Sequence, residues 1–107
     1  HDAHLAYVSH LSHIIAFGLS HTVLQKEEFT MKILNLAGSG LASTVRLAKS
    51  SPDMWTPIFI NNRDAILDSL DVYLEKIHDF KALLTASNAP GIKAYLEKGG
   101  EIKRILK

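Results

Sequence analysis

Residues 62 to 86, NRDAILDSLDVYLEKIHDFKALLTA, contain the pattern that decides the fold class. Their apolar side chains recur at alternating spacings of four and three residues, which places them along one seam of a helix. That seam consists of Ile66, Leu70, Tyr73, Ile77, Phe80 and Leu84. The acidic side chains fall off the seam, so the pattern predicts a long helix that packs along one face.

The rest of the chain shows the same helical period. Residues 2 to 24 predict one long helix, and a second apolar flank on it indicates burial on more than one side. Further helices are predicted over residues 27 to 36, over residues 41 to 49, after Ser51-Pro52, and from residue 92 onward. No segment shows strand alternation. The sequence therefore predicts an all-α helical bundle of about five to six helices.

Glycine and proline residues predict where these helices are interrupted. The Gly-Ser-Gly run at residues 38 to 40 predicts a stop before the next helix, because glycine tolerates backbone conformations outside a helix. Pro57 predicts that the helix containing it is short or kinked. Residues 87 to 91 predict a turn, and the glycine pair at 99 and 100 predicts a weak point in the middle of the last helix.

Length and composition limit what the chain can be. With 107 residues, 47% of them hydrophobic and 21% charged, the chain is sized for one globular helical domain. Its net charge of +1 and its scattered basic residues argue against nucleic acid as a partner. No run of about 20 apolar residues predicts a membrane span, and no signal peptide is apparent. The absence of cysteine excludes disulfides and fits a reducing compartment, so we expect a cytoplasmic protein.

Three further expectations concern a second copy of the chain, a segment that precedes it and a nucleotide cofactor. Wide apolar faces in a chain this short predict that a second copy covers part of them, most simply in a two-fold homodimer. The chain begins with His1 rather than Met, so we expect a further segment of the protein to precede it. No glycine-rich phosphate loop follows a predicted strand, so no nucleotide cofactor is expected to bind here.

Histidines are concentrated in the first helix region, which holds five of the six. His10 and His13 are three residues apart on one helix face among apolar neighbours, where an imidazole is costly to bury unless it is hydrogen-bonded. Imidazoles at this spacing can hold Zn²⁺, but no cysteine, nearby acidic ligand or His-Glu-x-x-His pattern accompanies them, so no metal is expected. We interpret His4, His21 and His78 as helix residues without a functional role.

Arg46 stands alone in the apolar stretch of residues 41 to 48. Its guanidinium can hold a carboxylate through two parallel hydrogen bonds, which would be a ligand group if no acidic residue of the protein reaches it. A structural ion pair and a solvated side chain are equally compatible with the sequence. Trp55, the only tryptophan, is the kind of residue that anchors a core or an interface.

Two motifs resemble the C-terminal domain of prephenate dehydrogenases. The first is His1-Asp2 followed by Ser-His-Leu-Ser-His at residues 9 to 13, similar to a His-Asp pair before a Ser-His-Leu-Pro-His run in that family. The second runs from Gly-Ser-Gly-Leu at residues 38 to 41 to Arg-Leu-Ala at residues 46 to 48. It continues with Ser50, Pro52, Met54, Trp55 and Asn62.

The resemblance implies an intertwined homodimer of all-α domains, with a Rossmann domain for NAD or NADP on the N-terminal side and outside this chain. It implies that the full-length enzyme oxidatively decarboxylates prephenate to 4-hydroxyphenylpyruvate in tyrosine biosynthesis. In that family a histidine of the nucleotide-binding domain acts on the substrate hydroxyl. We therefore expect no catalytic and no cofactor-binding residue in this chain, and no activity of the chain alone.

The resemblance also implies that five residues form part of the substrate site. Arg46 matches the arginine that binds a substrate carboxylate, and His13 matches a histidine that lines the prephenate pocket. Ser9 and His10 match the motif neighbours of that histidine. Trp55 matches a tryptophan that approaches the pocket from the partner subunit. A receptor of arginine and histidine suits prephenate, which is a dianion.

Three residues depart from the family pattern. Ser12 replaces the usual proline, Ser43 stands where aspartate is common, and Val45 stands where threonine is usual. The missing aspartate removes an expected partner of Arg46 and leaves the use of arogenate open. Two alternatives to a prephenate dehydrogenase domain therefore remain. One is a domain of an arogenate or cyclohexadienyl dehydrogenase, and the other is a non-catalytic helical interaction module.

Overall fold

The computed structural model describes residues 2 to 25 and residues 38 to 106. Throughout these two ranges the regular elements are helices and no strand occurs, which confirms the predicted all-α fold. The helix predicted over residues 27 to 36 lies outside the described residues. The pairing of two copies stays a prediction, because the structure contains one chain.

The described helices follow one another with short connections. They are α1 (Asp2–Leu5), a π-helical turn (Ala6–His10), α2 (Leu11–Leu24), α3 (Gly38–Thr44), a 3-10 turn (Arg46–Lys49), α4 (Pro52–Asn61), α5 (Arg63–Thr85), α6 (Ala89–Gly100) and a second 3-10 turn (Glu101–Arg104). The fold divides into two compact units, the first ending at Leu70 and the second beginning at Asp71. None of the helices in the described ranges is long and apolar enough to span a membrane.

The first predicted helix contains a π-helical turn that its apolar spacing did not predict. The chain is α-helical in α1, widens over Ala6–His10, and is α-helical again in α2. In the wide turn the backbone N–H of Leu11 donates to the carbonyl oxygen of Ala6, five residues earlier. Turns of this kind are frequent at functional sites. Here the turn carries two buried residues, Ala6 and His10.

Helix α3 begins earlier than predicted and ends earlier as well. The Gly-Ser-Gly run forms its first turn, so the predicted helix start after that run is wrong. The first turn of a helix has unpaired N–H groups whatever the residue, so glycine costs little there. The α-helix ends at Thr44, and Val45 leaves the helical region with φ −93° and ψ 4°. The next four residues, Arg46–Lys49, form a 3-10 turn that packs against α2.

Helix α4 begins at the predicted Ser-Pro start signal. The Ser51 hydroxyl oxygen accepts the backbone N–H of Met54 at 3.3 Å, and Pro52 occupies the first helical position. The Ser51 carbonyl accepts the backbone N–H of Trp55 at 3.1 Å. Pro57 lies inside this helix of 10 residues, which agrees with the short helix predicted. The cap therefore stabilises the N-terminal turn of α4, to which Trp55 is hydrogen-bonded.

Replacing the cap, Ser51→Ala, should lower the free energy of unfolding by about 1 kcal/mol, because the Met54 N–H loses its acceptor. Denaturation by urea, followed by circular dichroism, measures the change. Ser12→Ala is the matched control, since Ser12 is an exposed serine inside α2, and it should change stability by less than about 0.5 kcal/mol. Equal losses in the two variants would contradict the capping role.

Helix α5 covers the predicted seam and confirms the long helix. At its N-terminal end Ile66 is 5% exposed, and Ser69 is fully buried with its hydroxyl donating to the Ile66 carbonyl at 2.8 Å. Further along the seam Ile77 is 45% exposed and Leu84 is 59% exposed. Within one chain the seam is therefore covered at Ile66 and open at Ile77 and Leu84.

A tight turn joins α5 to α6 in the second unit. Ser87 adopts a left-handed φ of 51°, and the Asn88 side chain accepts the backbone N–H of Gly91 at 2.9 Å. A Cβ added at Gly91 would lie 2.7 Å from Asn88 Nδ2, so a larger residue would displace the cap. This turn confirms the turn predicted over residues 87 to 91.

Helix α6 packs on the second half of α5 through one aromatic pair. The rings of Phe80 and Tyr95 lie 5.3 Å apart, and the Tyr95 hydroxyl donates to the Lys76 carbonyl at 2.9 Å. The glycine pair was predicted to weaken the middle of the last helix, and this placement is wrong, because the pair lies at the C-terminal end of α6. The α-helix runs through Gly99 and ends at Gly100, where a 3-10 turn follows, as expected for glycine near a helix C-terminus.

Candidate functional site

Four rings from α4, from α2 and from the π-helical turn form a cluster in the first unit, which we call the His–Trp cluster: His10, His13, Trp55 and Phe59. The His13 ring stacks on Trp55, with ring centroids 3.9 Å apart and an interplanar angle of 28°. His10 meets Trp55 edge-on at 6.0 Å and Phe59 edge-on at 6.4 Å. Trp55 and Phe59 lie 5.4 Å apart. The cluster therefore joins the two family motifs in space.

Ser9 holds the His13 ring through its backbone. His13 Nδ1 lies 2.9 Å from the Ser9 carbonyl oxygen. A carbonyl oxygen can only accept a hydrogen bond, so Nδ1 carries the proton and donates it. In the neutral ring Nε2 is then an acceptor with a lone pair. Ser9 thus contributes its carbonyl to the cluster and sets the tautomer of His13.

Asn62 holds the His10 ring through its side-chain amide. His10 is buried, with 8% of its surface exposed, and its Nδ1 lies 3.0 Å from Asn62 Nδ2, 52 residues further along the chain. The amide nitrogen can only donate, so His10 Nδ1 accepts and the ring proton lies on Nε2. His10 and His13 therefore have opposite tautomers. Burial of His10 is compensated by a hydrogen bond, as expected for a polar group in a core.

The Trp55 indole N–H has no hydrogen-bond partner in the part of the chain that the structure describes. Its Nε1 is shielded from solvent, and among the described side chains it is the only such nitrogen or oxygen. A buried donor without an acceptor costs about 1 to 3 kcal/mol. An acceptor supplied from outside the described residues would remove that cost. The stacking of Trp55 on His13 is made within one chain, so its predicted approach from a partner subunit stays a prediction.

Arg46 is exposed and has no carboxylate within 4.0 Å among residues 2 to 25 and 38 to 106. Over those residues the ion-pair alternative is not found, and the side chain is solvated. The 3-10 turn that carries Arg46 packs against α2, the helix that carries His13. The free guanidinium is therefore available to an anion.

The structure thus brings together four of the five predicted site residues, namely Ser9, His10, His13 and Trp55. Arg46 lies on a neighbouring turn, and no ring or hydrogen bond joins it to the cluster in the described ranges. His4, His21 and His78 are exposed. Within the described ranges no group of three or more His, Asp or Glu is placed to hold a metal ion.

Two members of the site were missed by the sequence analysis. Phe59 was not singled out in the sequence, and Asn62 was named only as the last residue of the second motif. Hydrogen bonding to a histidine 52 residues away leaves no local signal in the sequence. The cost of burying the His10 ring was the one hint that such a partner exists.

Comparison with known proteins places the chain in a family. Residues 1 to 98 match the family described as prephenate dehydrogenase, dimerization domain. The chain belongs to this family. The family predicted from the two motifs is therefore confirmed.

Individual relatives of this dimerization domain agree with that placement. The prephenate dehydrogenase of Bacillus subtilis (strain 168) is 30% identical over 97 residues, which cover 91% of this chain and 26% of that protein. A cyclohexadienyl dehydrogenase of Zymomonas mobilis is 25% identical over 108 residues, which cover 100% of this chain and 37% of that protein. The domain therefore spans 26% to 37% of these relatives.

A solved structure shares the fold of the domain. The crystal structure of prephenate dehydrogenase from A. aeolicus, in complex with hydroxyphenyl propionate and NAD⁺, superimposes with a TM-score of 0.82 at 30% identity. The match covers 98% of this chain and 36% of that one. Nearly the whole of the chain thus has a counterpart in one part of that enzyme.

Proposed function

We propose that this domain binds prephenate and pairs two subunits of a dehydrogenase that oxidatively decarboxylates prephenate to 4-hydroxyphenylpyruvate. The observation that carries the proposal is the His–Trp cluster, in which residues from the two family motifs meet. His13 from the first motif stacks on Trp55 from the second at 3.9 Å. The A. aeolicus relative, which was crystallised with hydroxyphenyl propionate, supports an aromatic acid as the ligand class.

Arg46 supplies the charge that a dianionic substrate requires. Its guanidinium is exposed and not engaged by a carboxylate of the described residues. Two parallel hydrogen bonds from a guanidinium to a carboxylate are stronger than neutral hydrogen bonds, and they also orient the ligand. Ser43 stands nearby in sequence, where the family often has an aspartate. Arg46 is therefore free to bind a substrate carboxylate without a competing side chain at that position.

The cofactor belongs to another part of the full-length protein in this proposal. The relatives are roughly three to four times as long as the domain, as the 26% and 37% coverages imply, and the A. aeolicus structure contains NAD⁺. When bound, NAD⁺ or NADP⁺ would accept a hydride from the substrate ring as CO₂ leaves. This domain binds and orients the substrate, and a residue of the nucleotide-binding domain accepts the proton of the substrate hydroxyl. We place the enzyme in the cytoplasm, a reducing compartment, which agrees with a chain that contains no cysteine.

A homodimer accounts for the open part of the α5 seam. Ile77 and Leu84 lie seven residues apart on the seam, and both are substantially exposed in one chain. In the neighbouring helix α6 Leu96 is 60% exposed. Apolar side chains at heptad spacing on a helix surface are typical of helix pairing. The family description of a dimerization domain supports a second copy as the partner.

Ile77→Glu should convert the dimer into a monomer, because a carboxylate buried without a partner in an apolar interface is costly by several kcal/mol. Sedimentation velocity measures the mass of the species in solution. The wild-type species should have about twice the chain mass of 11.8 kDa, and the variant should have a mass near 11.8 kDa. Ala82→Glu, at an exposed position off the seam of the same helix, is the matched control and should stay dimeric. A monomeric wild type, or a dimeric Ile77→Glu, would contradict the assignment.

A separate experiment tests whether the cofactor site lies outside this domain. This chain and, separately, the full-length protein are added to prephenate with NAD⁺ or NADP⁺. We expect reduced cofactor only with the full-length protein. Reduction by the isolated chain would contradict the assignment of the cofactor site to another domain.

A further inference from the structure

His10 and His13 present different chemistry at their outer nitrogens. Neither Nε2 atom is hydrogen-bonded within the described residues, and neither is shielded from solvent in the way that Trp55 Nε1 is. His13 donates through Nδ1 and so presents a lone pair at Nε2. His10 accepts through Nδ1 and so presents an N–H at Nε2. The two rings therefore offer one acceptor and one donor from a single cluster.

The donor character of His10 depends on one side chain. In a regular helix an imidazole can donate through Nδ1 to a carbonyl four residues earlier, as His13 does to Ser9. The corresponding carbonyl for His10 is that of Ala6, which already accepts the backbone N–H of Leu11 in the π-helical turn. The His10 Nδ1 instead meets the Asn62 amide at 3.0 Å. The only hydrogen bond of His10 Nδ1 within the described residues is thus the one to Asn62, so Asn62 sets the tautomer of His10.

We infer that Asn62 is a positioning residue, which holds His10 as the Nε2–H tautomer so that this ring donates a hydrogen bond to an acceptor on the ligand. The acceptor class is a carboxylate or keto oxygen, because the ring offers no lone pair on its accessible side. This inference rests on the proposed function for its ligand, prephenate, and on the geometry alone for the tautomer. Asn62 itself need not touch the ligand.

The first test reads the tautomer directly. Long-range proton–nitrogen correlation spectra of the isotope-labelled chain distinguish protonated from unprotonated ring nitrogens. We expect His10 protonated at Nε2 and His13 protonated at Nδ1. Asn62→Asp replaces the donor by an ionised acceptor of the same shape, so His10 should gain a proton at Nδ1. Asn61→Asp adds the same charge at the exposed neighbour and should leave His10 unchanged.

Two results would overturn the assignment of the His10 tautomer to Asn62. A wild-type His10 that is protonated at Nδ1 would mean that the Asn62 amide presents its oxygen, and it would overturn the inference. An Asn62→Asp spectrum with the wild-type pattern would overturn it as well. A residue that only stabilised the fold would change the melting temperature without moving the proton between the two ring nitrogens.

The second test measures the consequence for the ligand in the full-length enzyme. Asn62→Leu removes the amide at similar size, and it should raise the KM for prephenate roughly tenfold while kcat stays within about twofold, because the fixed donor is lost. Asn61→Leu should match wild type. A wild-type KM in Asn62→Leu overturns the positioning role while the proposed function stands. If the full-length protein does not act on prephenate but the spectra show the expected protons, the proposed function fails and the tautomer assignment stands.

Discussion

Arg46→Ala should raise the KM of the full-length enzyme for prephenate by a factor on the order of 100, with a much smaller effect on kcat. The loss corresponds to about 2 to 4 kcal/mol of charge-assisted hydrogen bonding to a substrate carboxylate. The side chain is exposed and unpaired with any described carboxylate, so its removal leaves no unpaired partner in the protein. Steady-state kinetics with varied prephenate measures the change.

Two companion variants separate a carboxylate receptor from a general charge effect. Lys49→Ala removes an exposed positive charge from the same 3-10 turn and should leave KM within about twofold of wild type. Arg46→Lys keeps the charge but loses the two parallel hydrogen bonds, so its KM should fall between those of wild type and Arg46→Ala. Equal kinetics in Arg46→Ala and Lys49→Ala would contradict the receptor role.

Trp55→Ala should lower the free energy of unfolding of the chain by about 3 kcal/mol, because it removes the ring that His13 stacks on and that Phe59 and His10 also contact. Trp55→Phe keeps an aromatic ring and removes the unpaired indole N–H, so it should cost no more than about 1 kcal/mol. Urea denaturation must be followed by circular dichroism, since Trp55 is the only tryptophan of the chain.

The control for this prediction lies next to Trp55. Met54→Ala removes a side chain that is 52% exposed from the same helix, and it should cost less than about 1 kcal/mol. If Trp55→Ala were no more destabilising than Met54→Ala, the cluster would not be a packed unit. In that case the joining of the two motifs by the His13–Trp55 stack would lose its structural basis.

The parts of the fold that depend on local patterns were predictable from the sequence. The seam from Ile66 to Leu84 predicted α5, because helical period is repeated in every turn. Ser51 and Pro52 predicted the start of α4, since a cap and a proline act on the turn they begin. The glycine pair at 99 and 100 was predicted to weaken the middle of the last helix but lies at the end of α6, because glycine is compatible with both the last turn of a helix and a break.

The candidate site was predictable only as a set of residues. The family resemblance pointed to His13 and Trp55, but no pattern in the chain shows that their rings stack. The π-helical turn that ends at His10 shifts the register of this helix without a marker such as proline or glycine. The Asn62 partner of His10 comes from 52 residues away, and the choice of tautomer follows from that contact. The His13–Trp55 stack and the Asn62–His10 contact arise from packing between distant segments, which the pattern of neighbouring residues does not encode.

The central claim is that this domain completes a prephenate dehydrogenase, and product formation by the full-length protein tests it most directly. Prephenate is supplied with NAD⁺ and, separately, with NADP⁺, and the reduced cofactor and 4-hydroxyphenylpyruvate are quantified together. We predict that the two products form in equal amounts with at least one cofactor. A folded full-length protein that forms neither product with either cofactor would contradict the account and would favour a helical interaction module without catalysis.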